Sequence, residues 1–203
     1  MLSKIALLFS ALSLAAAQQN YPVQSAPFNL VLSSSTNSSL NGIKLAACHT
    51  GASVESLCLF DGGRDSTYTF YFNTTTDTPD PTTLQTGLVT WTLEPSTINF
   101  NEALSFQYNT ASNLAFPLIW PSLDTVQEFA FTDEEHLAVP AYVNDAIEPP
   151  TTYRGGVTFW DNRWQICQTY WQAYAYTALQ WTLGGGAPQN PSCDAVTVSR
   201  VFI

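Results

Sequence analysis

Charge is the scarcest thing in this chain. Only 11 % of its 203 residues are charged, and six Lys+Arg stand against sixteen Asp+Glu, for a formal net charge of −10. A chain so short of cations is a poor partner for a phosphate backbone, which excludes nucleic acid as its main ligand. Histidine is nearly absent, with only His49 and His136 to act as imidazole bases. No G-x-S-x-G is present, so neither half of a nucleophile–base arrangement has a sequence signature. C-x-x-C is also missing, and with it the usual thiolate metal motif. After residue 17 no apolar run is long enough to span a bilayer, which takes about 20 residues. What the chain has in quantity is aromatic side chains, 13 %. That content argues for a packed core rather than disorder.

Met1–Ala17 reads as a secretory leader. Lys4 is the charged head, Ile5–Ala16 the apolar stretch, and Ala15-Ala16-Ala17 the small-residue cleavage site. Residues 18–203 are then one secreted domain, with five cations against the sixteen acids. The expected location is outside the cell, free or held non-covalently at a wall. Export puts the four cysteines in an oxidising compartment, and four cysteines allow three pairings. Proximity favours Cys48–Cys58 and Cys167–Cys193. Two N-x-[ST] sequons, at Asn37 and Asn73, lie in Ser/Thr-rich stretches that read as exposed turns and mark the chain as a glycoprotein.

Periodicity is that of strands throughout. The expected strands are Phe28–Leu32, Ile43–Ala47, Thr67–Asn73, Gly87–Leu93, Leu104–Tyr108, Val126–Phe131, Arg163–Trp171, Tyr174–Leu183 and Ala195–Phe202. Turn clusters such as Asn41-Gly42 and Asp61-Gly62-Gly63 separate them. The only stretch that suggests a helical turn is Val54–Leu59. These features predict an all-β, single-domain antiparallel sandwich or closed barrel with two disulfides.

Several blocks occur in a telling order: FNLVL, NGIKLAACHTGASVESLCLF, LVTWTL, WQICQTYW…YTALQWTLGGGAPQNPSC and VTVSRVFI. In these the chain resembles a family of small secreted proteins of filamentous fungi that carry a domain of unknown function. The resemblance implies export and a β-rich fold, and it brings no catalytic residue.

Function is therefore read from surfaces. On the expected strand Tyr174–Leu183, Tyr174, Tyr176, Gln180 and Thr182 share one face. Tyrosine rings can cover the flat side of a sugar while amides and hydroxyls bond its oxygens. The acidic run Asp133-Glu134-Glu135-His136 offers cation ligands, but neighbours on a strand diverge, and a solvated loop is the simpler reading. No cofactor or metal site is expected. The leading expectation is a non-enzymatic extracellular or cell-wall protein. The alternatives are a glycan-binding module for neutral cell-wall polysaccharide, a contact with another extracellular protein, and, last, a hydrolase without a recognisable motif.

Overall fold

Apolar side chains recurring at every second position dictate strands, and strands are what the chain forms. The computed structural model describes residues 20–77, 80, 82–93, 100–121, 127–154 and 156–203; the leader expected at 1–17 lies outside them. In chain order the strands are β1 (Val23–Gln24), β2 (Phe28–Ser33), β3 (Ala46–Gly51), β4 (Val54–Cys58), β5 (Phe70–Thr74), β6 (Thr86–Leu93), β7 (Phe100–Tyr108), β8 (Leu114–Trp120) and β9 (Phe129–Phe131). They continue with β10 (Leu137–Ala141), β11 (Val143–Asn144), β12 (Thr151–Thr152), β13 (Thr158–Trp160), β14 (Trp164–Trp171), β15 (Tyr174–Thr182), β16 (Asp194–Ala195) and β17 (Thr197–Phe202). Two 3-10 turns, Ser38–Leu40 and Asp65–Tyr68, are the only helical elements among the described residues.

Fifteen strands form one antiparallel sheet that curls into a half-barrel, running from β13 at one edge to β16 at the other; β11 and β12 pair separately. The inner face carries the core. Phe28, Leu30, Phe70, Leu104, Ile119 and Trp164 meet there, every one essentially without exposed surface. Trp164 sits 4.7 Å from Trp181 ring to ring, and its indole N–H donates to the Leu137 carbonyl at 2.7 Å. A smaller cluster covers part of the outer face, where Cys58, Phe116, Leu118 and Ala178 pack under Trp120 and Trp171. Arg200 caps the β2–β17 side. It lies 4.2 Å above the Phe131 ring and pairs with Glu135.

Both cysteine pairs form as expected, Cys48–Cys58 and Cys167–Cys193. The first crosses the β3–β4 hairpin, and the second ties β14 to the segment before β16. A loop of 26 residues closed by Cys167–Cys193 restricts the unfolded chain by about 3.5 kcal/mol on chain entropy. Cys193→Ser should therefore lower unfolding free energy by about 2–5 kcal/mol in non-reducing urea titrations. A variant as stable as the parent would refute the structural role of this bridge.

Several expectations give way. Val54–Leu59 is no helical turn: β4 pairs with β3, β8 and β15. Its alternation splits Leu57 to the inner core and Cys58 to the outer cluster, and left-handed Ser53, at φ 53°, turns the hairpin. The strand expected at Ile43–Ala47 begins only at Ala46, with Lys44 making a single bridge to Val31. Thr67 and Tyr68 belong to a 3-10 turn, so the next strand starts at Phe70. In the stretch expected as Val126–Phe131 the strand covers Phe129–Phe131, and Val126 lies outside the described residues.

Candidate functional site

The β14–β15 ladder runs unbroken from Trp164↔Trp181 to Trp171↔Tyr174. Other strands flank only its first half, with β16 at Gln165 and Ile166, β8 at Trp181 and Thr182, and β4 at Ala178. Residues 169–176 continue as a two-stranded ribbon turned at left-handed Gln172. The ribbon is rich in aromatics. Tyr170 and Tyr174 are 70 % and 53 % exposed, and Trp171 stacks on Phe116 at 5.4 Å with ring planes 10° apart. No charged residue occurs anywhere from Trp164 to Cys193.

Of the four residues expected to form one exposed face, only two are together at the surface. Tyr174 and Tyr176 lie 6.0 Å apart ring to ring, tilted by 52°, and the Tyr176 hydroxyl donates to the His49 carbonyl at 2.9 Å. Burial, with Tyr174 beside it, pushes the Tyr176 phenol above its ordinary range. Gln180 and Thr182 are buried instead. At Ala178 the strand leaves the free ribbon and acquires neighbours on both edges, which the alternation of one strand alone does not reveal.

A second feature opens at the rim of the half-barrel, where β10 and β13 face the start of β14 and the end of β15. It is a cleft of about 750 Å³ walled by Asn144, Asp145, Trp160, Arg163, Gln165 and Thr182, with Gly184–Gly186 at its lip. Arg163 lies 4.2 Å over the Trp160 ring, and Tyr153 meets that ring edge-on at 6.5 Å.

A third feature is a pair of buried acids. Glu55 on β4 and Glu102 on β7 point into the barrel at its other rim and are buried, Glu102 completely. Apart from each other, one Glu55 oxygen and both Glu102 oxygens have no hydrogen-bond partner among the described residues. Burial, reinforced by the neighbouring Glu55, pushes the Glu102 carboxyl up to about 9. Burial likewise raises Glu55, although Glu102 and the exposed His49, 3.9 Å from it, act in the opposite direction. The ladder shows how far this pair is from the cleft. On β8, Ile119 is opposite Glu55 and Leu114 is opposite Thr182. Five residues of strand separate the two positions by about 17 Å. The buried acids are therefore separated from the Thr182 wall of the cleft by that length of strand. Sequence alternation does place Glu102 in phase with Leu104, an inward residue, but reading the strand as starting at Leu104 hides it.

The acidic run does not converge. Glu135 turns away to Arg200, and His136 meets Asp161 at 3.1 Å. Among the described residues no group of three His, Cys, Asp or Glu is placed to hold a metal. Asn37 caps a 3-10 turn but is half-buried rather than exposed, its amide donating to Asp194 at 2.7 Å. Asn73 does not lie in a turn: it is a half-buried residue of β5, whose alternation runs on through Thr74, and it accepts from Thr90 at 2.9 Å.

Together these features define an antiparallel all-β domain with two disulfides, one uncharged aromatic ribbon and one polar rim cleft. Residues 25–202 match the family model described as a domain of unknown function, DUF7907, and the chain belongs to that family. No curated protein and no solved structure matches it.

Proposed function

We propose that this is an exported, non-enzymatic binding protein that acts outside the cell or at its wall, with neutral polysaccharide as its ligand. The observation that carries this reading is the ribbon: exposed Tyr170 and Tyr174 beside half-buried Tyr176 on a two-stranded hairpin, with no charge from Trp164 to Cys193. Such a surface has no charge to desolvate when it meets an uncharged sugar chain, and each ring offers a flat apolar face whose covering is favourable. Export is supported by the leader-like Met1–Ala17 and by two disulfides, and no described helix is long and apolar enough to cross a membrane. A hydrolase needs its acids beside the ligand, and Glu55 and Glu102 are instead buried inside the barrel, with almost no surface to offer a polymer on the ribbon.

The test is retention of the protein lacking residues 1–17 on insoluble chitin, β-glucan and mannan. Binding to at least one polymer is expected without release of soluble sugar. Tyr174→Ala/Tyr176→Ala should weaken it about tenfold, since two aromatic contacts of roughly 0.5–1.5 kcal/mol are lost. Tyr176→Phe, which removes only the bond to His49, should bind as the parent does. Equal retention of the double variant, or no retention of the parent on any polymer, overturns the proposal.

A further inference from the structure

The rim cleft carries chemistry that the ribbon lacks. Its wall holds Arg163, one of only six cations in the chain. Among the described residues Arg163 has no carboxylate within ion-pair distance, although the chain carries sixteen acids, and Arg200 by contrast is paired. The guanidinium is held in place all the same. It lies on the Trp160 ring at 4.2 Å, and Tyr153 braces that ring from the side. Stacking of this kind holds the planar fork while leaving its N–H groups free for a planar anion. It also occupies a face of Trp160, so that face is not open to a sugar. Recognition in this cleft is therefore by charge and hydrogen bonding rather than by stacking.

The remaining lining is suited to hydroxyl groups. Asn144, Asn162 and Gln165 contribute amides. Thr182 is buried, and its hydroxyl has no hydrogen-bond partner among the described residues. Unsatisfied buried groups of this kind are uncommon in folded proteins and are relieved when a ligand supplies the missing partner. Asp145 is the one acid in the lining. It accepts from hydroxyls and repels a second negative charge on the ligand. The net charge of −10 likewise disfavours a long polyanion. The volume is within the range of small-molecule sites.

We infer that the rim cleft binds a small monoanionic sugar acid, its carboxylate on Arg163 and its hydroxyls on the amides and Thr182. This site is separate from the ribbon and does not depend on polymer binding there.

Titration calorimetry with sodium glucuronate, sodium galacturonate and glucose tests it, with a galacturonate trimer as the arm that separates a free acid from a chain end. At least one monomeric acid should bind ten or more times tighter than glucose, and 0.5 M NaCl should weaken it severalfold. Arg163→Gln should abolish the preference for acid over glucose. Arg163→Lys, which keeps the charge but not the fork, should recover only part of it. Thr182→Val should weaken the acid several-fold while its circular dichroism and melting remain those of a folded chain. Tyr174→Ala/Tyr176→Ala should leave sugar-acid binding unchanged. The inference is overturned by glucose binding as tightly as the acids, by the absence of binding to either acid, or by Arg163→Gln retaining the preference. Tighter binding of the trimer than of either monomer assigns the cleft to a chain end rather than a free acid and overturns the monomer assignment.

Discussion

Thermal stability should decline steadily as the pH rises from about 4.5 toward 9. The cause is Glu102. Its folded-state value of about 9 stands far above the 4.5 of an ordinary glutamate. Below 4.5 both folded and unfolded chains hold the proton, and nothing is lost. Between 4.5 and 9 the unfolded chain releases it and the folded chain keeps it, so each rise in pH favours unfolding. Glu55, raised in the same direction, adds to the trend. The expected loss across this window is several kcal/mol, on the order of one pKa unit's worth, about 1.4 kcal/mol, for each pH unit at its steepest. Glu102→Gln keeps the shape and removes the ionisation. It should flatten the profile and be more stable than the parent at pH 8 by urea midpoint. A flat parental profile, or a Gln variant weaker at pH 8, would show that Glu102 is not held neutral.

Trp164→Ala should be the most damaging single change in the core. The side chain is fully buried among Phe106 and Trp181, and its N–H is the donor to the carbonyl of Leu137 on β10, a strand not paired with its own. Truncating a buried tryptophan costs about 3–5 kcal/mol through lost contacts and the cavity left behind. The Leu137 carbonyl loses its donor as well, a further penalty of about 1–3 kcal/mol. Trp164→Phe retains most of the ring and isolates that second contribution. Equilibrium denaturation in urea measures both, and a Trp164→Ala loss below about 2 kcal/mol would contradict the packing described.

The architecture was legible wherever one strand's own alternation decides the outcome. Gly87–Leu93 and Arg163–Trp171 are strands to within a residue because their apolar positions recur cleanly in twos. Leu114–Trp120 escaped notice because it is apolar throughout and contains Pro117, which argues against an interior strand. Its neighbours explain the exception. On one edge β8 pairs with β15 at 114–115 and with β4 at 118–119. Pro117 falls in the gap between them, where no partner on that edge asks for its N–H. The sites were harder to read. The cleft assembles β10, β13, β14 and β15, and the facing acids sit on β4 and β7, so neither exists in any local stretch of sequence. Tyr174 and Tyr176 could be placed on one face, but the point where the ribbon enters the sheet, and hence the burial of Gln180 and Thr182, depends on β4 and β8, strands far upstream in the chain.

The pairing of β2 with β17 bears on when this chain can acquire its structure. Phe28 is opposite Phe202, and Thr197 is opposite Ser33, so the strand made near the beginning is completed only by residues made about 170 positions later. An emerging chain has Phe28, Leu30 and Leu32 in hand long before Val198 exists to cover them. The inner face therefore stays unsealed during synthesis, and closure is a late, non-local event of the kind that folds slowly and leaves apolar surface open to other chains in the meantime. On the export route proposed above, that delay would serve the chain: closure of the barrel would wait until the last strand had passed the translocation channel.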